Sequence, residues 1–392
     1  MSVTAARGFV AAGGAIGIKA ARQLDLAIVA TADGKAVPAA GVFTQNLATA
    51  AAVQVSREHL GRSEGQAAAV VLTSGNANAA TGPAGVRAAR RLCEIVAAEV
   101  GAAPEEVLVC QTGLIGVPFP AGVLDAVGPV VAARAPGARA GRAAAEAIMT
   151  TDTVPKEAVA YVDAGGVRCT VGGMAKGAAM LAPHMATMLA VVTTDAAAAP
   201  STLRALLGGA VDVSFNAMTV DGCTSTNDTV LLLASGEAGA VPVDQLGAAV
   251  SAVCRSLAEQ MVADAEGATK TARIVVTGAA SDAEAHAAAR KVASSLLVKC
   301  SLNGEDPYWG RVVSELGSAG VAFELGRTSV AYGGIEVCAR GAAVPHDADA
   351  VAAHMAGKAV DIRCDLGVGQ GEGAVLTSDL GYGYLDENRT TS

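Results

Sequence analysis

Apolar positions fall along this chain in two rhythms. Dense runs rich in β-branched residues occupy 68–74, 106–110, 187–194, 229–235, 272–278, 334–340 and 360–366, each bounded by Gly, Asp or Asn, and they predict strands. Between them lie Ala-rich stretches with helical spacing at 83–100, 243–265 and 281–299. Ser281 with Glu284 three residues on reads as a capping box opening the last of these. Such a mixture predicts an α/β or α+β chain. The successive strands at 334–340 and 360–366 suit an antiparallel or mixed sheet better than a doubly wound one. No period of 20–50 residues repeats, which argues against a solenoid. The Ala/Gly/Arg stretch 135–145 reads as a surface loop or linker.

Composition sharpens this picture. Of 392 residues, 52% are hydrophobic, 17% charged and only 3% aromatic. A disordered chain is excluded, and the core must be built from Ala, Val, Leu and Gly. With 28 basic and 37 acidic residues the net charge is -9, and no Lys/Arg block offers a nucleic acid a footprint. The uncharged stretches 107–124 and 177–194 contain Pro and polar groups, so they read as buried segments rather than membrane spans. Residues 7–19 mimic a signal peptide, but four glycines and the closing Lys19 argue against one. Eight scattered cysteines without C-x-x-C spacing suggest reduced, mostly buried thiols in a cytoplasmic protein. They indicate neither a disulfide framework nor a metal site.

Five segments carry candidate chemistry, and for each a plain turn or loop is the simpler explanation. In 176–196, Lys176 precedes a small-residue approach, a Pro and Thr187. If the Ala186–Thr187 bond is cut, the new α-amino group is a general base (reference pKa about 7.7–8.0) within reach of its own hydroxyl. In 109–120, small residues after a strand can leave convergent N–H groups, as an oxyanion hole requires. Residues 148–158 gather hydroxyls and Asp152 before Pro155, and 263–270 set Asp264, Glu266 and Lys270 around a glycine. Residues 221–229 crowd hydroxyls and amides between apolar runs. The glycine stretches 11–19 and 171–177 are weak matches to nucleotide-binding loops, and no clear strand precedes the first. His184, three residues before Thr187, reads as a loop histidine.

Taken together, these strings resemble the glutamate N-acetyltransferase family of arginine biosynthesis, also called ornithine acetyltransferases. The resemblance rests on GFVAAGGAIGIK (8–19), SGNANAATG (74–82), QTGLIG (111–116), IMTTDTVPKEA (148–158), MAKGAAMLAPHMATML (174–189), VDGCTSTNDTVLL (220–232), DAEGATK (264–270), DPYWGR (306–311) and YLDEN (384–388). It implies an N-terminal-nucleophile fold of mixed sheets with covering helices. It also implies self-cleavage into an α chain, 1–186, and a β chain, 187–392, which stay intertwined as one αβ unit that pairs into a larger assembly.

By the same resemblance, Thr187 carries the acetyl group from N-acetylornithine to glutamate in a ping-pong cycle. Thr112 and Gly113 form the oxyanion hole. Substrate is bound by Thr150, Lys176, Thr187, Glu266, Asn388 and a terminal hydroxyl, Ser392 or Thr391. No cofactor is implied, although acetyl-CoA is a second donor in part of the family. A related N-terminal-nucleophile amidohydrolase, or an acyltransferase for another amino acid, is the alternative. A nucleotide-binding or purely structural α/β protein is the reading from a different class.

Overall fold

The computed structural model describes residues 2–20, 22–181 and 188–389. The predicted alternation organises two central sheets. The first runs Phe9–Gly14, Leu26–Thr31, Ala69–Asn76, Val107–Leu114; only its last pair is parallel. The second runs Gln66–Ala67, Val37–Phe43, Thr229–Gly239, Leu189–Ala196, Val167–Lys176, Lys156–Ala164. Side chains of successive strand residues point to opposite faces. Val29, Val70, Leu72 and Leu108 of the first sheet therefore meet Leu189, Val191, Leu231 and Leu233 of the second. The intervening residues Ile28, Val71, Val107 and Val109 pack outward on helices Ala51–Arg62, Gly82–Val100 and Val127–Ala132. Ala190, Val192, Val230 and Leu232 do the same on Pro200–Asp212 and Val243–Ala263. The result is four layers, helix on sheet on sheet on helix. Fully buried on both faces, these strands must be continuously apolar, which is how they read.

Helix Gly82–Val100 shows the helical rule. Ala89, Leu92, Cys93, Val96, Ala97 and Val100 are buried at i, i+3, i+4, i+7, i+8 and i+11 spacing, and Gly101 closes it in the left-handed conformation (φ 80°). A third, seven-stranded mixed sheet lies in the C-terminal part. One of its faces is covered by helices Asp282–Ala293, Leu296–Asn303, Trp309–Gly317 and Ala348–Met355. The predicted strands around 335–339 and 359–365 both belong to it, and Ser329–Tyr332 lies between them, antiparallel to each.

Four expectations need correction. The stretch 135–145 is mainly helix Ala138–Ala147, with Ala144, Ala145 and Ala147 buried. Alanine is the best helix former, and a Cβ at Gly141 would stand 2.4 Å from the Ser2 hydroxyl, so its small residues serve close packing. The helix predicted over 281–299 breaks at Ser294, because Ser295 caps a second helix through Val298 N–H. Ser281 does cap the first helix, but Glu284 accepts from Ala322 N–H (3.0 Å) instead of closing the box. Residues 115–118 of the supposedly buried uncharged stretch are exposed. No described helix is long and apolar enough to cross a membrane. Six of the eight cysteines are buried, and Cys223 and Cys300 are exposed.

Candidate active site

The glycine stretch 11–19 begins inside a strand, Phe9–Gly14, and its second half wraps an internal anion. The buried Asp25 carboxylate accepts from the amides of Ile16 (2.7 Å), Gly17 (3.1 Å), Ile18 (2.6 Å) and Lys19 (3.0 Å). A nest already filled by its own carboxylate has no donors left for a phosphate, so the nucleotide-loop likeness ends here. The loop delivers Lys19, whose ammonium donates to the carbonyls of Leu24 (3.0 Å) and Met149 (2.6 Å) and whose stem lies beside Gly75. Residues 171–177 are likewise no loop but the end of strand Val167–Lys176.

Gly75 and Gly113 face each other where the strands Ala69–Asn76 and Val107–Leu114 end, and the ladder there is irregular. Gly113 has φ +131°, and a Cβ on it would lie 2.3 Å from the Gly75 carbonyl carbon. Only glycine permits this approach. Thr112, 2% exposed, precedes it.

Lys176 ends its strand in register with Leu189, which in turn pairs with Thr229. Its ammonium donates to the Thr150 hydroxyl (2.6 Å) and lies 3.8 Å from Asp152. Asp152 is itself a hub. It accepts from Gly177 N–H (2.7 Å), Thr150 N–H (3.0 Å) and Lys156 Nζ (2.6 Å). Lys156 also pairs with Asp264, which takes the amides of Thr153 and Val154. Burial pushes the Asp152 carboxyl up, but Lys176, Lys156 and the hydrogen bonds outweigh it and hold it down at about 2. Burial lowers the Lys176 ammonium; Asp152 and Glu266 oppose that, while Lys156 adds to it.

Glu266 comes from the turn after helix Val243–Ala263. Asn388 donates to its carboxylate (2.8 Å). The contact depends on Gly267 (φ +62°), where a Cβ would sit 2.1 Å from the Tyr384 amide nitrogen, so helix Tyr382–Glu387 can rest on the turn. The segment 224–228 proves to be more than a turn satisfying itself. Asn227 donates to the carbonyls of Ala77 (2.6 Å) and Gln111 (2.8 Å), and Asp228 accepts from Met188 N–H (3.0 Å). It ties the strand of Thr112 and Gly113 to the strand that starts just after Thr187.

Thr150 thus meets Lys176 directly and Glu266 meets Asn388 directly, with the two pairs coupled through the charges on Lys176 and Glu266. Ala186, Thr187, His184 and the terminal Thr391 and Ser392 lie outside the described residues. Sequence reasoning missed Lys19, Lys156 and Asp228. None of the three carried a signal in the sequence; they are recognisable only from their neighbours in space.

The ArgJ family model matches residues 10–390. The arginine biosynthesis bifunctional protein ArgJ of Mycolicibacterium paratuberculosis is 47% identical over all of this chain and 96% of its own length. Its namesake from Thermobifida fusca is 46% identical over the whole of both chains.

The chain belongs to the ArgJ family.

Among solved structures, ornithine acetyltransferase complexed with ornithine from Mycobacterium tuberculosis is 43% identical, covering 46% of this chain and 94% of that one, with a TM-score of 0.41. Arginine biosynthesis bifunctional protein ArgJ from Bacillus halodurans is 34% identical, covering 50% and 97%, with a TM-score of 0.49. Membership in the ArgJ family makes this chain an acyltransferase of arginine biosynthesis, as its motifs imply, and not a nucleotide-binding or purely structural protein.

Proposed function

We propose that this protein transfers an acetyl group from N-acetylornithine to glutamate through an acetyl-threonine on Thr187, after cleavage of its own Ala186–Thr187 bond. The observation that carries the reading is the pairing of two opposite charges in one site. Lys176 suits a substrate carboxylate, and Glu266, oriented by Asn388, suits the δ-ammonium of ornithine. Thr150 and the terminal Ser392 or Thr391 complete the substrate contacts.

The freed α-amino group of Thr187 takes the proton from its own hydroxyl, whose oxygen attacks the acetyl carbon. The carbonyl oxygen becomes an oxyanion held by Thr112 and Gly113 donors, which act mainly in the transition state. Collapse breaks the carbon–nitrogen bond, and the departing ornithine nitrogen takes the proton. The glutamate amine then attacks the ester, releasing N-acetylglutamate and restoring the threonine. Acetyl-CoA as a second donor agrees with the bifunctional name of the relatives. We place the enzyme in the cytoplasm, as αβ units that pair.

Intact mass under denaturing conditions, with N-terminal sequencing of each piece, tests the reading. Two fragments of about half the mass, one beginning Thr-Met-Leu-Ala, are expected, together with acetyl transfer from N-acetylornithine to glutamate. A single uncut chain with full transfer would overturn it, and hydrolysis without transfer would favour an amidohydrolase.

A further inference from the structure

Asp228 is the most deeply placed carboxyl near the reacting end of strand Leu189–Ala196. It is 0% exposed. Oδ1 accepts from Met188 N–H (3.0 Å), and that nitrogen is covalently bonded to the Thr187 carbonyl carbon. Oδ2 is buried and has no hydrogen-bond partner among the described residues. Its backbone is fixed on the other side, because the Asp228 carbonyl accepts from Thr44 N–H (2.9 Å). An ionised carboxylate in this position would leave a bare buried charge, which costs far more than a buried neutral acid.

The surroundings agree. Burial raises the carboxyl well above the ordinary aspartate range. The Met188 amide and the Ser225 hydroxyl pull the other way, as does Lys176 across the site. Among the described residues Lys176 is the one charged side chain acting on it, and its own charge is already engaged by Thr150 and Asp152. Nothing in the transfer chemistry above uses this acid.

We infer that Asp228 is a positioning residue held as a neutral carboxylic acid, its Oδ1 fixing the Met188 amide at the reacting end of the strand. In this role it orients residue 187 for both self-cleavage and transfer and leaves the work of base to the α-amino group. The inference rests on the nucleophile assignment under Proposed function.

The neutral acid and a carboxylate base make opposite predictions for one substitution. Asp228→Asn keeps the acceptor for Met188 and is permanently neutral. Self-cleavage, followed by mass, and acetyl transfer are expected within about 3-fold of wild type. Any alkaline fall in wild-type transfer that comes from ionising Asp228 is expected to disappear from the variant's pH profile. Asp228→Ala is expected to stay uncut or to lose at least about 10-fold in transfer. An Asp228→Asn protein as inactive as Asp228→Ala would overturn the inference in favour of an ionised base, and full activity of Asp228→Ala would remove the role altogether. If Asp228→Ala does not fold, the Asn variant decides alone. Wild-type protein that is cut at Thr187 and transfers acetyl keeps the nucleophile assignment whatever the Asp228 variants do.

Discussion

Under the proposed reaction, Thr112 and Asp152 are where single residues bear most directly on the chemistry. The Thr112 hydroxyl is an oxyanion donor in that reaction, so Thr112→Val is expected to lower kcat by about 10²–10³ with little change in KM, as loss of one such donor does. Steady-state kinetics with N-acetylornithine would show a KM change instead if the hydroxyl served only ground-state binding. Asp152 is the counter-charge that raises the Lys176 pKa against burial and against Lys156. Asp152→Asn is therefore expected to lower the Lys176 pKa further and to move the alkaline limb of kcat/KM to lower pH. A limb that stays in place would separate Lys176 from that ionisation. Thr187→Ala should remain one uncut chain without transfer activity.

At the scale of elements, two glycine contacts hold the site together. Gly113→Ala puts a Cβ 2.3 Å from the backbone of Gly75 at a φ that alanine resists, costing about 1–3 kcal/mol in backbone strain alone. Both the melting temperature and kcat are expected to fall. Gly267→Ala should act more narrowly. It lifts helix Tyr382–Glu387 from its turn and separates Asn388 from Glu266, so KM for N-acetylornithine should rise while self-cleavage proceeds normally. If cleavage fails as well, the turn supports more than substrate binding.

Across the whole molecule, the second sheet mixes both halves of the chain. Strands Leu189–Ala196 and Thr229–Gly239 lie between Val37–Phe43 and Val167–Lys176. After a cut at 186, each piece would expose its share of a sheet buried on both faces, so the two should co-purify and unfold in one transition, separating only in denaturant. Stability should also fall above about pH 9. Burial pushes the thiols of Cys110, Cys254 and Cys364 up to about 12. In the unfolded chain thiols ionise near 8.5, so there the folded state binds more protons and loses stability as pH rises. Urea midpoints at pH 8 and pH 10 would show the drop, and Cys254→Ala should reduce it.

Much was legible in the sequence because buried strands and amphipathic helices must repeat their apolar residues in register with the backbone. The strands near 69–76, 107–114, 229–239, 271–279 and 359–365, the mixed α/β class and the motif segments all follow from that local rule. The family resemblance supplied the pairing of Lys176 with Glu266, which spacing alone could not. Other features depend on contacts between residues far apart in the chain. Asp25 filling its own glycine nest, the Lys156–Asp152–Lys176 ladder, the close approach of Gly75 and Gly113, and Asp228 beneath the Met188 amide were decided only when the sheets packed. Periodicity encodes which face of an element is apolar; which buried charge meets which is settled by tertiary packing, because desolvation makes each such charge find a partner or give up its ionisation.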